Sequence, residues 1–138
     1  MKIAFDVHKT IIDNPEFFKP LMKILMHTGN DVCIVSGPPS DQIYKELKLA
    51  GFDYGIHYRM IYSVVDFAKN ITNIAMSQDG DGNWWCDDTI WWTLKGQICK
   101  KYDIESLIDN DIRYKPEVSK NSTFIFWNNE TKELYYGH

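Results

Sequence analysis

The chain has 138 residues, of which 44% are hydrophobic and 25% are charged. These are ordinary proportions for a globular protein, and the length predicts a single domain over residues 1–138 with one hydrophobic core. Because the net charge at pH 7 is −4, the overall electrostatic field does not draw the protein onto nucleic acids or anionic membranes. Contact with nucleic acid therefore has no support from charge.

The cysteines and the apolar segments indicate where in the cell the protein is expected to reside. Cys33, Cys86 and Cys99 are odd in number and lack a CxxC spacing, which is typical of free thiols in a reducing compartment. No apolar stretch approaches the ~20 residues that span a bilayer. Asp6 and Lys9 interrupt the amino-terminal apolar run that a signal peptide would need. We therefore expect a cytoplasmic protein that does not enter a membrane.

Short apolar runs alternate with helical patterns through the first half of the chain. Strands are predicted over residues 3–5, 31–36, 52–57 and 71–76. Helices are predicted from Pro15 with Asn14 as N-cap, from Ser40 as a cap up to Gly51, and over residues 60–70. The apolar face of the second helix is predicted to include Ile43, Tyr44, Leu47 and Leu49.

In the second half, residues 77–83 are predicted to form a polar loop, and Asp87 or Asp88 is predicted to cap a helix that reaches Lys101. Strands are predicted over residues 106–109 and 123–127. The last of these turns near residues 128–129 onto a strand over 133–136, which gives a hairpin. The alternation of strands and helices predicts an α/β fold with a mainly parallel sheet and a C-terminal β-hairpin.

Polar side chains follow three of the predicted strands where each strand ends. Asp6 and Thr10 follow the first strand, Ser36 follows the second, and Asp109 ends the strand before residue 110. Lys95 lies on the preceding helix. All five would lie on the edge of the sheet where open α/β folds bind ligands. Carboxylates bind Mg²⁺, hydroxyl and ammonium groups hold phosphate oxygens, and a carboxylate can attack phosphorus. The pattern predicts a phosphoryl-transfer site.

The order and spacing of these residues resemble the four motifs of the haloacid dehalogenase (HAD) superfamily of phosphatases. The motifs are a strand followed by Asp-x-Asp-x-Thr, a strand ending in Ser or Thr, a helical Lys, and a strand ending in paired acids. They are matched here by Asp6-Val-His8-Lys-Thr10, Cys33-Ile-Val-Ser36, Lys95, and Leu107-Ile-Asp109-Asn-Asp111. The resemblance covers about residues 1–115. It implies a three-layer, Rossmann-like core. Members of the superfamily often carry an inserted cap domain, but the stretch between Ser36 and Lys95 is already occupied by predicted strands and helices, so no large cap fits.

The resemblance also implies a reaction and a metal. Asp6 would be the nucleophile that forms an aspartyl-phosphate, with His8 as the acid and base. Mg²⁺ would be bound by the side chain of Asp6, the backbone carbonyl of His8, and Asp109. The charge of the cation would stabilise the oxygens of the transferring phosphoryl group.

The remaining residues implied by the resemblance would bind the phosphate. Ser36 and Lys95 would hold the transferring phosphoryl group and so belong to the catalytic set. Gly37 would line the phosphate-binding turn after Ser36, and Thr10 would brace the first loop. The implied activity is Mg²⁺-dependent hydrolysis of a phosphomonoester.

Two positions depart from the motifs. His8 stands where these phosphatases usually have a second Asp, so an imidazole would have to protonate the leaving oxygen and then activate water. Asn110 stands where the second of the paired acids is usual. These departures leave open a catalytically weak or inactive phosphate-binding or regulatory module. An interaction protein that uses exposed aromatic residues is a third alternative.

Four tryptophans, Trp84, Trp85, Trp91 and Trp92, are clustered before Lys95. Clustered aromatic residues usually fill a core or cover a sheet. Because these flank a loop that is predicted to approach the active edge, they could instead form a stacking platform for a nucleobase. The substrate is then a phosphorylated small molecule, a nucleotide, or the end of a nucleic acid.

Two acidic segments resemble metal sites but are interpreted otherwise. The run Asp79-Gly-Asp81-Gly-Asn83 begins like a calcium loop, yet Trp84 and Ile90 occupy positions that require Gly and Glu. Asp87 and Asp88 precede a helix rather than end an apolar strand. We therefore expect them to cap that helix and not to bind a metal.

Overall fold

The computed structural model describes residues 1–136, which form an α/β fold with eight β-strands and five α-helices. The strands are β1 Lys2–Phe5, β2 Asp31–Ser36, β3 Met60–Ser63, β4 Ser77–Gln78, β5 Trp84–Trp85, β6 Ser106–Asp109, β7 Thr123–Asn128 and β8 Glu133–Tyr136. The helices are α1 Pro15–His27, α2 Ser40–Leu49, α3 Val64–Asn70, α4 Asp88–Lys101 and α5 Lys115–Val118. Within the described residues, each of these helices is too short or too polar to cross a membrane.

Six strands form one sheet in the order β3-β2-β1-β6-β7-β8, and β4 pairs with β5 in a separate hairpin. In this sheet, β3, β2, β1, β6 and β7 all run parallel to one another, whereas the last strand, β8, is antiparallel to β7. The prediction of a mainly parallel sheet with a C-terminal hairpin is therefore confirmed. β1 lies inside the sheet, where β2 and β6 pair with its two edges.

Helices cover both faces of the large sheet, which gives three layers. Side chains from α3, α4 and α5 form one hydrophobic cluster, and side chains from α1 and α2 form the other. Within β1, Ala4 belongs to the first cluster, whereas Ile3 and Phe5 belong to the second. Successive side chains of a strand point to opposite faces. Burial on both faces explains why the inner strands are continuous apolar runs.

The predicted strand over residues 52–57 is wrong, because this segment forms a turn. The N–H groups of Ile56 and His57 both donate to the carbonyl of Asp53. Gly55 has a φ of +84°, a conformation that favours glycine. His57 Nδ1 also accepts from the N–H of Asp53, which fixes the turn further. These contacts replace the ladder bonds of a strand.

The predicted helix over residues 60–70 begins later than expected. Met60–Ser63 forms the edge strand β3, which pairs with the end of β2. Helix α3 begins after Ser63, whose hydroxyl accepts from the N–H of Asp66 at 3.0 Å. An edge strand has a partner on one side only, so its apolar pattern is weak, and Met60 is exposed. The pattern of the helix therefore masked the strand before it.

The predictions for residues 71–83 are also wrong in part. No strand forms over residues 71–76, although Ile74 and Met76 pack against the cluster beside α3 and α4. Residues 77–83, predicted as a loop, include β4 and the turn that leads to β5. Asp79 holds this turn, because its N–H donates to the carbonyl of Asn83 and its Oδ1 accepts from the N–H groups of Asp81 and Asn83.

Of the three predicted helix N-caps, one is confirmed and two make other contacts. Asp87 caps α4 as predicted, since its carboxylate accepts from the N–H of Thr89. Asn14 precedes α1, but its side chain donates to the carbonyl of Thr10 and to Asn129 instead of capping the helix. Ser40 is the first residue of α2, and its hydroxyl donates to Asp66. In α2, Ile43 and Leu47 are buried as predicted, whereas Tyr44 and Leu49 are exposed.

Candidate active site

Three predicted site residues lie at the carboxyl ends of neighbouring strands. Asp6 follows β1, Ser36 ends β2 and Asp109 ends β6. Because β2 and β6 flank β1 in parallel register, the three side chains meet at one edge of the sheet. The N–H of Asp6 still donates to the carbonyl of Ile108 at 2.9 Å. The backbone of Asp6 is thereby fixed to the sheet.

Lys95 connects two of these strand ends. It projects from α4, and its Nζ donates to Oδ1 of Asp6 at 2.9 Å and to Oδ2 of Asp109 at 2.6 Å. The side chains of Lys95, Asp6 and Asp109 are only 3%, 8% and 1% exposed. Burial opposes the charged form of Lys95, but the carboxylates of Asp109 and Asp6 more than offset it and raise the pKa of Lys95 well above its ordinary value. The lysine is a permanent cation.

Asp109 is held from both sides. Its Oδ2 accepts from Lys95, and its Oδ1 accepts from the N–H of Asp111 at 2.9 Å. Burial and the negative charge of Asp6 nevertheless raise the pKa of Asp109 to about 7, against the opposing charge of Lys95. Two carboxylates that share one ammonium group retain excess negative charge when both are ionised. The cluster can therefore accept a further proton or a cation near neutral pH.

The loop after β1 is braced against Asp6. Thr10 is buried and donates from Oγ1 to Oδ2 of Asp6 at 3.2 Å. With its amide nitrogen turned inward, Asn110 donates to the same Oδ2 at 3.0 Å and to the carbonyl of His8 at 3.2 Å. Lys9 adopts a φ of 59°, a left-handed conformation that is unfavourable for residues other than glycine. Side-chain contacts thus hold a strained backbone around Asp6.

Ser36 is fully buried, and its hydroxyl has no hydrogen-bond partner among residues 1–136. It lines a pocket together with Asp6, Lys95 and Asp109, and Gly37 continues the same wall. A buried polar group without a partner is destabilising by ~1–3 kcal/mol. A group bound in the pocket beside Ser36 could supply the missing partner.

The imidazole of His8 faces the same pocket and is 46% exposed. Its Nε2 lies 2.5 Å from Oε2 of Glu46 on α2, and Gln42 donates to the other oxygen of Glu46 at 2.9 Å. A carboxylate that holds one ring nitrogen fixes the orientation of the imidazole. The sequence analysis missed Glu46, because 38 residues separate it from His8 and nothing in the first motif indicates a partner on α2.

Tyr114 is a second residue that the sequence analysis missed. Its ring lies 4.3 Å from Nζ of Lys95, and its hydroxyl accepts from Nε1 of Trp91 at 3.0 Å. An aromatic face stabilises an ammonium group, most strongly where water is excluded. Tyr114 therefore adds an aromatic wall to the pocket beside Lys95. An aromatic residue five positions after Asp109 carries no local signal for this role.

The two polar residues that follow Asp109 make different contacts. Asn110 turns toward Asp6, whereas Asp111 turns outward and binds Arg113 through both carboxylate oxygens. The hydrogen bond from Arg113, opposed by partial burial, lowers the pKa of Asp111. Asp111 thus anchors the turn that leads to Tyr114.

The cysteines lie outside this pocket and are free thiols, as predicted. Burial raises the pKa of Cys33 and of Cys99 to about 12. Burial and the neighbouring carboxylates of Asp87 and Asp88 also raise the pKa of Cys86. A thiolate nucleophile is therefore disfavoured at all three positions.

The described residues hold no group of three or more His, Cys, Asp and Glu side chains arranged to bind a metal. Two oxygen atoms, Oδ2 of Asp6 and the carbonyl oxygen of His8, do converge on the side-chain amide of Asn110. Chemically, the pocket combines a fixed carboxylate, a buried ammonium group, an unpaired hydroxyl and an oriented imidazole. No protein-family model matches the chain, and no curated protein matches it.

Proposed function

We propose that this protein is a Mg²⁺-dependent phosphomonoester hydrolase of the haloacid dehalogenase type, with Asp6 as the nucleophile. The observation that carries the proposal is the unpaired, fully buried hydroxyl of Ser36 in the pocket that the ammonium group of Lys95 also lines. An oxyanion such as a phosphoryl group would accept from both. The proposal includes the three-layer, Rossmann-like core of that superfamily and its motif residues at the ends of β1, β2 and β6.

The reaction would proceed in two displacements at phosphorus. In the first, an oxygen of Asp6 forms a bond to phosphorus, the bond to the leaving oxygen breaks, and protonated His8 gives its proton to that oxygen. In the second, His8 takes a proton from water, the water oxygen bonds to phosphorus, and the bond to Asp6 breaks. Inorganic phosphate and the alcohol are the products, and the enzyme returns to its starting state.

Lys95 and Ser36 would supply the stabilising contacts for both displacements. Charge develops on the phosphoryl oxygens in the transition state, and preorganised donors stabilise that charge without further rearrangement. Lys95 is preorganised by Asp6, Asp109 and the ring of Tyr114. To reach the phosphoryl group, its ammonium would exchange its contact with Asp6 for one with a phosphoryl oxygen. The carboxylate of Asp6 would then be free to attack.

The donor set beside Asp6 fits Mg²⁺, which prefers oxygen ligands and retains several waters. Asp6 and the carbonyl of His8 would hold the ion, and rotation of the Asn110 amide would direct its oxygen to the same point. Asp109, the ligand implied by the sequence, is held by Lys95 and the N–H of Asp111, so its participation stays a prediction that requires the ion pair to open. Bound Mg²⁺ would neutralise charge on the phosphoryl oxygens.

His8 is suited to the acid and base role by its contact with Glu46. The carboxylate of Glu46 holds Nε2, so Nδ1 would be the atom that exchanges protons with the leaving oxygen and with water. The same contact fixes the orientation of the imidazole ring. This contact compensates for the absence of the aspartate that the superfamily usually has at this position.

The Asp6→Asn variant tests the proposal. An amide cannot form the acyl-phosphate bond, so we expect the release of phosphate from p-nitrophenyl phosphate with Mg²⁺ to be abolished. The exposed Asp41→Asn variant is the matched control, and circular dichroism checks that both variants fold. Beryllium fluoride should bind the unmodified protein and not Asp6→Asn. Turnover at the unmodified rate in Asp6→Asn would reject Asp6 as the nucleophile.

A catalytically silent phosphate-binding module is the second candidate. The specific observation in its favour is that the amide of Asn110 donates to Oδ2 of Asp6 and so occupies an oxygen that the nucleophile and the cation would need. This module would bind inorganic phosphate through Ser36 and Lys95 without turnover. Phosphate binding by calorimetry, combined with no phosphate release from any ester, would favour it over the hydrolase.

A further inference from the structure

A second cleft opens beside the candidate active site, and Gly37 and Pro38 line both. We call it the tryptophan cleft; its lining residues are Gly37, Pro38, Pro39, Gln42, Val65, Asp81, Gly82, Asn83, Trp84, Trp85 and Trp91. Its volume is about 270 Å³, near the lower end of small-molecule sites, which begin at ~300 Å³. A volume of this size suits one compact chemical group next to the phosphate pocket.

The aromatic walls of the tryptophan cleft are held in place before any ligand binds. Trp85 donates from Nε1 to Oδ2 of Asp79 at 3.0 Å. The ammonium group of Lys69 lies 3.9 Å from the ring of Trp84. Trp91 donates to the hydroxyl of Tyr114. A preformed wall loses little conformational freedom when a ligand binds, so more of the contact energy contributes to affinity.

The wall geometry favours a flat ring over an aliphatic group. Trp85 is 44% exposed, although most of a tryptophan side chain is apolar. The rings of Trp85 and Trp91 are 6.0 Å apart and inclined by 46°, so they are not stacked on each other. The face of Trp85 that is open to the cleft is therefore available to a planar ligand, with Pro38 and Pro39 also lining the cleft.

The polar lining of the tryptophan cleft selects the kind of ring. Asp81 lines the cleft, and its carboxylate accepts no hydrogen bond from any residue within 1–136. A carboxylate binds groups with N–H donors, which nucleobases present on their edges. None of the described lining residues is a lysine or arginine. Lys69, whose ammonium group packs on the ring of Trp84, is the one cation described next to this lining, and a single cation is too few for the backbone of a polynucleotide, which carries one charge per nucleotide.

We propose that the tryptophan cleft binds the nucleobase of a nucleoside monophosphate, whose phosphate lies in the pocket of Ser36 and Lys95. The inference rests on the proposed function and names its substrate class. The base stacks on Trp85, and an N–H on its edge donates to Asp81. The sugar passes Gly37 and Pro38, the two residues that the cleft and the pocket share.

The test compares guanosine 5′-monophosphate with ribose 5-phosphate, which lacks the base. Guanosine is chosen because guanine offers adjacent N–H donors to Asp81. We expect kcat/KM to favour the nucleotide by about tenfold to a hundredfold, the range that base stacking on one aromatic ring supplies. In Trp85→Ala this preference should disappear, and in Trp85→Phe part of it should remain. Tyr135→Ala, which removes an equally exposed ring on β8 (46%), should keep the full preference.

The outcomes separate the inference from the function on which it rests. If ribose 5-phosphate is hydrolysed as well as the nucleotide, or if Trp85→Ala keeps the preference, the nucleobase site is rejected and the phosphatase stands. If guanosine binds by calorimetry in a Trp85-dependent manner while no ester is hydrolysed, the nucleobase site stands and the phosphatase is rejected. Faster hydrolysis of a short 5′-phosphorylated oligonucleotide than of the mononucleotide would overturn the assignment to free nucleotides.

Discussion

Asp109→Asn should change how the stability of the protein depends on pH. In the folded protein the pKa of Asp109 is about 7, raised by burial and by Asp6 from an ordinary value of 3.8. The folded state therefore binds this proton more tightly than the unfolded state does. The contribution to stability is fully present below about pH 4 and is lost as the pH rises through 7. In the asparagine variant there is no proton to lose.

The size of the effect follows from the difference between the two pKa values. A change from 3.8 to about 7 corresponds to roughly 4 kcal/mol of proton-binding free energy, at about 1.4 kcal/mol per pH unit. Asp109 is 1% exposed, so solvent screening removes little of it. We expect the free energy of unfolding of the unmodified protein, relative to Asp109→Asn, to fall by up to ~4 kcal/mol between pH 4 and pH 7.5.

Urea denaturation followed by tryptophan fluorescence measures this difference, with a chelator present throughout. The Asp41→Asn variant is the control, because it makes the same substitution at an exposed position. We subtract the free energy of unfolding of Asp109→Asn from that of the unmodified protein at each pH. If this value stays constant, or rises with pH, the buried pair of carboxylates formed by Asp6 and Asp109 is refuted.

Three further variants test separate contacts. Glu46→Gln should lower turnover about tenfold, which is a part of what acid–base catalysis contributes. Its melting temperature should hardly change, because exposed ion pairs contribute only ~0–1 kcal/mol to stability. Ser36→Ala should lower kcat/KM about a hundredfold without loss of stability, since its hydroxyl is unpaired; a drop in melting temperature would contradict this. Gly96→Ala should destabilise the protein by ~1–3 kcal/mol in urea, because its Cβ would lie 2.5 Å from Cγ of Glu117 and 2.7 Å from a backbone carbon. Gly80→Ala, where the space is open, should not.

The inner strands could be predicted from the sequence because their environment leaves a local signal. β2 and β6 are buried on both faces, so both are short continuous runs of apolar residues. The polar residues that end these runs then follow the geometry of a parallel sheet. Ser36 and Asp109 meet beside Asp6 for that reason, and the helical Lys95 reaches them from α4.

Other features depend on contacts that no local pattern records. The edge strand β3 is half exposed and runs directly into α3. The spacing of its apolar residues therefore could not be distinguished from the spacing in the helix. Glu46 and Tyr114 join the site through the packing of α2 and of the turn after β6. The roles of Asn110 and Asp111 are also set by which way each side chain turns. Two adjacent polar residues look alike in sequence, yet one faces Asp6 and the other faces Arg113.

The β4–β5 hairpin shares no strand pairing with the six-stranded sheet. Its turn is held by Asp79 and by Gln78, which donates to the carbonyl of Gly82. Trp84 packs against the cluster beside α3 and α4. We therefore expect that the rest of residues 77–85 can be exchanged for a hairpin of different sequence while the strand ends that carry Asp6, Ser36 and Asp109 keep their positions. On the proposed function, evolution or design could then change the preferred ligand through this one segment, without altering the residues proposed to carry out the reaction.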